Sequence, residues 1–195
     1  MKHRTILLVG APGAGKGTQG KILGTIPNFF HCACGDVFRS LSASNPLAKV
    51  FIKYSSRGLL VPDEPTVELW GQFIENCERT GRFHPETDTL VLDGIPRNVH
   101  QARMLADTLD VRAIVYLHCK NMDVMIKRLQ SRALKENRLD DANLAVIRDR
   151  LKVYDRETKP LLDYYGKKLV YRIDSTRPPV RVLRDLLALV DKVIK

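Results

Sequence analysis

A glycine-rich segment at residues 10–18, GAPGAGKGT, has the composition of a phosphate-binding loop. It follows a short apolar run at residues 5–10, and the next residues, KGTQGKIL, are typical of a helix. Glycines let the backbone turn tightly, so that several N–H groups can point at one anion beside the positive end of the following helix. Lys16 can then reach the outer phosphates. This context predicts a nucleoside triphosphate site; the alternative is a glycine-rich turn with a solvent-facing lysine.

The residue after Lys16 departs from the general phosphate-loop pattern. That pattern has Ser or Thr there, whose hydroxyl contacts magnesium, whereas this chain has Gly17 and then Thr18. We therefore expect the metal to be held by phosphates, water and other side chains. The loop alone predicts triphosphate binding and does not separate a kinase from a motor or a switch.

A second apolar run, residues 89–94, ends in Asp93 and is followed by Arg97. Both residues are predicted at the carboxyl end of a parallel sheet, where folds of this class bind ligands. Asp93 could order magnesium and its waters. The alternative is an Asp that caps the turn before Gly94.

Arginine is concentrated later in the chain. Arg128 and Arg132 lie four residues apart on one helical pattern, so they share a face. Arg138, Arg148 and Arg150 follow. A solvated basic helix face is the ordinary explanation. Near a triphosphate, however, planar guanidinium groups could neutralise charge in a phosphoryl transfer.

The elements that must position these residues alternate along the chain. Strand patterns cover residues 5–10, 89–94, 112–119 and 168–174, and helical patterns cover residues 65–80, 99–109, 122–135, 143–165 and 179–194. Strands that alternate with helices predict an α/β fold with a parallel sheet. With 195 residues and no internal repeat, the chain is predicted to form a single domain, 1–195.

The bulk composition restricts the partners. The formal net charge is +10, with 32 Lys and Arg against 22 Asp and Glu, which favours phosphate-bearing partners. No zinc-finger spacing or aromatic RNA-binding motif is present, so nucleic acid is not expected. No apolar run is long enough for a membrane span, and the short run at the start ends in a glycine loop, so a cytoplasmic protein is expected.

Two cysteines, Cys32 and Cys34, lie one residue apart. They could hold a metal, form a redox couple, or do neither. A metal site would need further ligands, and His31 is the only close candidate. A redox couple has no evident task in a reducing compartment.

Six segments, in order, resemble the nucleoside monophosphate kinases, and the adenylate kinases most closely: GAPGAGKGTQ, CGDVFR, RGLLVPDE, LDGIPRNVHQA, RLQSRALKENRLDD and RDRLKVYDRETKPLLDYY. The resemblance implies a P-loop NTPase-like parallel sheet flanked by helices, with a monophosphate-binding flap at residues 33–62. It also implies a short lid at residues 131–141. This lid lacks the Cys or His set of zinc-bearing lids, so Mg²⁺ but no zinc is expected.

The resemblance also implies roles for individual residues. Asp93 would hold Mg²⁺ through water, Arg128 would stack on the donor adenine, and the backbone near Arg177 would complete that pocket. The ATP-binding residues implied are Gly13, Ala14, Gly15, Lys16, Gly17, Thr18, Arg128, Arg132 and Arg177. The acceptor-binding residues implied are Cys34, Arg39, Leu59, Leu60, Val61, Gly94, Arg97, Gln101, Arg138 and Arg150. The catalytic residues implied are Lys16, Arg39, Arg97, Arg132, Arg138 and Arg150.

The segment after Asp141 is one residue longer than in the short-lid relatives, which leaves Arg148 as the alternative to Arg150. Ile95 stands where Phe or Tyr is usual, and is expected to be a packing change.

The resemblance leaves open which base the acceptor nucleotide carries. Adenylate kinases usually have Thr where Cys34 stands, and pyrimidine monophosphate kinases have Ala. Asn98 resembles the pyrimidine enzymes and Gln101 the adenylate enzymes, in which an amide suits the paired donor and acceptor of adenine. We therefore expect transfer from MgATP to AMP, with a UMP/CMP or broad-specificity kinase as the alternative. A plain NTPase is less favoured. The family's usual state for short-lid forms implies a monomer.

Overall fold

The computed structural model describes residues 2–119, 121–136, 141 and 143–194. These residues contain a five-stranded parallel sheet in the order β2-β3-β1-β4-β5. The strands are β1 (His3–Val9), β2 (Phe29–Ala33), β3 (Thr89–Asp93), β4 (Leu109–His118) and β5 (Val170–Asp174). The predicted α/β class is therefore confirmed.

Helices connect the strands and cover both faces of the sheet. They are α1 (Lys16–Leu23), α2 (Cys34–Arg39), α3 (Pro46–Ser55), α4 (Asp63–Arg79), α5 (Val99–Met104), α6 (Met122–Glu136), α7 (Leu144–Val153), α8 (Leu161–Tyr165) and α9 (Pro179–Val193). A π-helical turn, Tyr154–Thr158, joins α7 to α8. None of the helices in the described ranges is long and apolar enough to cross a membrane.

The central strands are continuous apolar runs because side chains on both of their faces are buried. One hydrophobic cluster includes Leu7, Leu92 and Trp70, and a second, on the opposite face, includes Ile6 and Leu186. A third includes Leu129 of α6 and Ile147 of α7. Ile95 is 2% exposed in the first cluster, which agrees with its expected packing role.

The sequence patterns located four strands but not β2. This strand, FFHCA, is an edge strand whose only buried residue is Cys32, so it lacks the continuous apolar run of β1 or β3. The helical pattern at 143–165 was predicted as one helix but is interrupted. It passes through the π-helical turn, and Pro160, which has no N–H to donate, precedes α8.

All five strands are parallel, so their carboxyl ends meet at one edge of the sheet. Asp93 pairs there with Leu8 on one side and Ala33 on the other. The chain leaves β1 at this edge to enter the glycine-rich loop, and it leaves β2 there to enter α2. Asp93, the glycine-rich loop and the start of α2 therefore lie at the same edge of the sheet.

Replacing Leu92 with Ala tests how far this central strand supports the fold. Leu92 is 0% exposed, so we expect its truncation to lower the free energy of unfolding by about 2–5 kcal/mol. The matched control is Leu134→Ala in α6, because Leu134 is 90% exposed and should change stability by less than about 0.5 kcal/mol. Urea denaturation monitored by circular dichroism measures both. Equal losses in the two variants would contradict this account of the core.

Candidate active site

A cleft of about 620 Å³ lies at the carboxyl edge of the sheet. Its size is in the range of ligand-binding cavities. The glycine-rich loop, the segment before α4, the turn after β3, and helices α6 and α7 all contribute to its wall. Every site residue predicted from the sequence that the structure describes lines this cleft. Arg138 lies outside the described residues.

The glycine-rich loop is held closely against α6. Gly13 has φ +84°, and a β-carbon built there would lie 2.9 Å from the carbonyl oxygen of Met125 and 3.2 Å from Cγ of Leu129. Only glycine fits both this backbone conformation and this spacing. The helix that carries Arg128 and Arg132 is therefore in direct contact with the loop.

Lys16 does not face solvent as the alternative interpretation of the sequence supposed. Its side chain folds over its own loop, and Nζ donates to the carbonyl oxygens of Gly10 at 2.7 Å and Ala11 at 3.2 Å. Burial lowers the pKa of Lys16 to about 8, against an opposing effect of Asp93. The charges of Arg97, Arg132 and Arg150 lower the same pKa further. Three parts of the chain therefore bring cations close to Lys16.

Asp93 lies beside Gly17, the position where the general pattern has Ser or Thr. A β-carbon built on Gly17 would be 3.5 Å from Oδ2 of Asp93. Within the described ranges, no group of three or more His, Cys, Asp or Glu residues could hold a metal ion. A single carboxylate fits Mg²⁺, which keeps several waters and takes other ligands from substrate phosphates.

Arg39 and Arg97 form a second cationic region of the cleft. Arg97 wraps around Gly94 and donates from Nε to its carbonyl oxygen at 2.9 Å. Arg39 pairs with Asp36 at 3.1 Å, and its guanidinium lies 5.4 Å from the ring centroid of Phe51. Both guanidinium groups are therefore oriented by neighbours from their own part of the chain.

Asp141 joins the arginines of two helices. It is fully buried, and its carboxylate accepts from Arg132 of α6 at 2.7 Å and from Arg150 of α7. Arg150 lines the cleft, whereas Arg148 is exposed and lies outside the cleft wall. The position of Asp141 thus couples two cations that would otherwise repel each other.

Arg128 and Arg177 lie at another part of the cleft wall. Arg128 donates to the carbonyl oxygen of Ser175 at 2.8 Å, and Arg177 pairs with Asp185 at 2.8 Å. Ser175 is itself fixed, because its hydroxyl donates to the carbonyl oxygen of His118 at 3.0 Å. Ser175 and Asp185 carry no motif of their own, so the sequence did not indicate these two contacts.

The two neighbouring cysteines have different environments. Cys34 begins α2 and lines the cleft, and burial raises its pKa to about 11. Cys32 packs in the hydrophobic cluster of Leu7 and Trp70, where burial raises its pKa as well. Both thiols are free. Cys32 is therefore a core residue and Cys34 a residue of the cleft wall.

The loop before α4 provides the apolar part of the wall. Leu59, Leu60 and Val61 line the cleft here. The preceding Gly58 has φ +72°, and a β-carbon on it would lie 2.9 Å from the carbonyl oxygen of Val146 and 3.0 Å from Cγ of Arg150. This loop is therefore packed directly against α7.

Gln101 is 1% exposed and reaches the cleft wall at the start of α5. Its Oε1 accepts from the backbone N–H of Arg97 at 2.7 Å, and its Nε2 donates to Asp63 at 2.8 Å. Asn98 caps α5 through Oδ1 and donates from Nδ2 to Asp63 at 2.9 Å. Unlike Gln101, Asn98 is not part of the cleft wall. Sequence reasoning missed Asp63, because its partners are more than thirty positions away.

This arrangement can hold phosphate groups from two directions. The glycine-rich loop with Lys16 offers one set of donors, and Arg39 with Arg97 offers another. Arg132 and Arg150 contribute further positive charge close to Lys16. Such an array can stabilise charge that is spread over a phosphoryl group during its transfer.

Comparison with known proteins agrees with this geometry. A family model described as Adenylate kinase matches residues 8–170. The adenylate kinase of Thermobifida fusca (strain YX) is 40% identical over 181 residues, which cover 89% of this chain and 90% of that protein. The adenylate kinase of Corynebacterium urealyticum is 34% identical over 192 residues, covering 96% and 99%. That of Synechococcus sp. (strain JA-2-3B'a(2-13)) is 32% identical over 192 residues, covering 95% of each.

The lowered pKa of Lys16 predicts that binding of MgATP takes up a proton above pH 8. Phosphate oxygens favour the charged lysine, so they raise its pKa again. At pH 8.5 we expect an uptake of roughly 0.5–0.8 proton per ATP, and much less at pH 7. Isothermal titration calorimetry in buffers of different ionisation enthalpy measures this uptake.

The control is Lys16→Arg, which keeps the positive charge but does not titrate in this range. It should bind MgATP with no extra proton uptake at pH 8.5. The same uptake in both proteins would contradict the assignment to Lys16.

Proposed function

The chain belongs to the adenylate kinase family, and on that premise we propose that it catalyses the reversible transfer of a phosphoryl group from MgATP to AMP, giving two ADP. One observation carries the proposal. A single cleft is lined both by the glycine-rich loop and by a second pair of cations, Arg39 and Arg97, which we assign to the phosphate of the acceptor. A nucleotide switch or a plain NTPase needs only the first set.

The donor nucleotide is assigned to the glycine-rich loop side of the cleft. Residues 13–18 surround its phosphates with backbone N–H groups, and Lys16 follows the transferred group. The described guanidinium groups on this side are Arg128, Arg132 and Arg177, and the first of these is held by Ser175. Its fixed position suits stacking against the donor adenine.

Magnesium is proposed at Asp93. The carboxylate stands beside Gly17 at the end of β3, so an ion there could contact Asp93 through water and take phosphate oxygens directly. When bound, the ion supplies positive charge to the phosphates. The absence of a Ser or Thr hydroxyl at position 17 is consistent with this water-mediated arrangement.

The transfer itself is assigned to positioning and electrostatics. Phosphoryl transfer needs no covalent nucleophile from the protein, and cations that surround the moving group supply the stabilisation. Arg97, Arg132 and Arg150 are close enough to Lys16 for their charges to lower its pKa. Arg39 and Arg138 complete the proposed catalytic set.

Two segments are proposed to close over the substrates. Residues 33–62 form the acceptor flap, which contains α2 and α3, and residues 131–141 form the lid, which begins in the last turns of α6. Closure would exclude water, and this limits hydrolysis of the donor.

The acceptor side favours AMP over a pyrimidine nucleotide. Gln101 lines the cleft, whereas Asn98, the residue that resembles the pyrimidine enzymes, is used by Asp63 and by the cap of α5. Gln101 can therefore contact a base, and Asn98 is engaged elsewhere. Cys34 and the loop 59–61 form the rest of the proposed base pocket.

Monomeric, cytoplasmic action without nucleic-acid partners is also proposed. All four cysteines are free, which suits a reducing compartment. Light scattering coupled to size-exclusion chromatography tests the oligomeric state.

A panel of acceptors tests the proposed function. With MgATP as donor, we expect kcat/KM to be highest for AMP among AMP, CMP, UMP and GMP, because a site that hydrogen-bonds one base rejects bases with a different pattern. ADP formation is measured by a coupled assay, with ATP alone as the control for hydrolysis. Preference for CMP or UMP would overturn the AMP assignment, and equal turnover without any acceptor would indicate a plain NTPase.

Paired variants separate the two candidate arginines of α7. Arg150→Met should lower kcat by roughly 100-fold or more, because the variant lacks one of the positive charges that we propose stabilise the phosphoryl group during transfer. Arg148→Met should leave kcat nearly unchanged, since Arg148 is exposed outside the cleft. Thermal melting of both variants separates a catalytic loss from a loss of folding. A larger kcat loss in Arg148→Met would reverse the assignment.

A further inference from the structure

We propose that Asp63 is a positioning residue that fixes the amide of Gln101 in one orientation and thereby sets which acceptor bases are accepted. The inference rests on the proposed function and adds to it. It assigns discrimination between 6-amino and 6-oxo bases to a carboxylate outside the cleft wall.

Asp63 collects donors from three side chains of the segment that enters α5. Oδ1 accepts from Nε2 of Gln101 at 2.8 Å and from Nδ2 of Asn98 at 2.9 Å. Oδ2 is 3.1 Å from the same Asn98 nitrogen and 3.0 Å from Nδ1 of His100. Asp63 is the first residue of α4, so its backbone is fixed by a helix of 17 residues.

The chemistry of these partners leaves one orientation for Gln101. An ionised carboxylate only accepts hydrogen bonds, so the NH₂ end of the amide must face Asp63. The backbone N–H of Arg97 only donates, so the oxygen end must face Arg97. A rotation of the amide by 180° would place oxygen against oxygen at Asp63 and N–H against N–H at Arg97. The hydrogen bonds at its two ends therefore fix the orientation of the amide.

The amide in this fixed orientation can still form hydrogen bonds with a substrate. Each of its ends makes one hydrogen bond to the protein, and within the described part of the chain Nε2 keeps a second N–H and Oε1 a second lone pair. An adjacent donor and acceptor match the edge of adenine, which presents its amino group beside a ring nitrogen acceptor. The order of donor and acceptor is fixed by Asp63, not by the base.

The fixed order excludes bases that present the reverse pattern. Hypoxanthine carries a carbonyl oxygen where adenine has its amino group, and an N1–H where adenine has an acceptor. Such a base could pair only with an amide rotated by 180°. The site would therefore reject hypoxanthine, because the buried polar groups of the base and of Gln101 would be left without hydrogen-bond partners. Asn98 helps to fix the orientation of the Gln101 amide indirectly. Its Nδ2 donates to Asp63, and its Oδ1 caps α5 by accepting from the backbone N–H of Gln101.

The experiment measures kcat/KM for AMP and for IMP with MgATP. Wild type should strongly prefer AMP. Asp63→Asn keeps the shape but can donate as well as accept, so Gln101 can rotate, and we expect the AMP-to-IMP ratio to fall roughly tenfold or more. The change should lie mainly in KM, with kcat for AMP little altered. Asp63→Ser, whose hydroxyl can also donate or accept, is the second variant in case the first does not fold.

The matched control is Asp110→Asn. Asp110 lies near the start of β4, at the opposite end of the strand from the cleft, and pairs with Arg112 at 2.7 Å. It should keep the wild-type ratio. Thermal melting of each variant monitors folding.

A double-mutant comparison shows whether Asp63 acts through Gln101. In a Gln101→Met background, Asp63→Asn should no longer change the AMP-to-IMP ratio. An unchanged ratio in both Asp63 variants, an equal change in the Gln101→Met background, or a wild type that does not separate AMP from IMP would each overturn the proposal. Failure of wild type to use AMP at all would instead overturn the proposed function.

Discussion

The constraint on which the site depends is the crowding of positive charge in a cleft that is partly removed from water. Burial lowers the pKa of Lys16, and the nearby charges of Arg97, Arg132 and Arg150 lower it further. Backbone carbonyl oxygens compensate for Lys16, and the buried carboxylate of Asp141 compensates for Arg132 and Arg150. The sheet edge, the glycine-rich loop and two helices keep these cations together. In the proposed function, the phosphate oxygens of the two substrates would supply further negative charge to these cations.

The two sides of the cleft solve different problems with different chemistry. On the proposed donor side, backbone N–H groups and cations would bind phosphate without regard to the base. The proposed acceptor side adds the amide of Gln101, which is hydrogen-bonded to Asp63 and to the backbone of Arg97, together with an apolar wall. In this proposal, charge provides affinity for phosphate, and the paired hydrogen-bonding groups of Gln101 select the base.

Local patterns predicted the parts of the site that lie close together in the sequence. The strand–loop–helix unit around Lys16 and the strand that ends in Asp93 could be located because each signal is confined to a few residues. The edge strand β2 could not, since its pattern is too weakly apolar. The contact between Asp63 and Gln101 could not be predicted either, because the two residues are 38 positions apart and carry no local signal for it. The choice between Arg148 and Arg150 required the rotational phase of α7, which is defined by the packing of Ile147 and Leu151 against α6 and by the ion pair with Asp141.

The close approach of Gly58 to α7 ties two properties of the enzyme that could otherwise vary separately. At Gly58 the loop before α4 leaves no room for a methyl group between itself and the helix that carries Arg150. A change in the backbone of this loop toward α7 would therefore also displace Arg150. Exchanges of the cleft-lining side chains at Leu59, Leu60 and Val61 leave this contact intact, so they are the more accessible way to change the shape of the cleft.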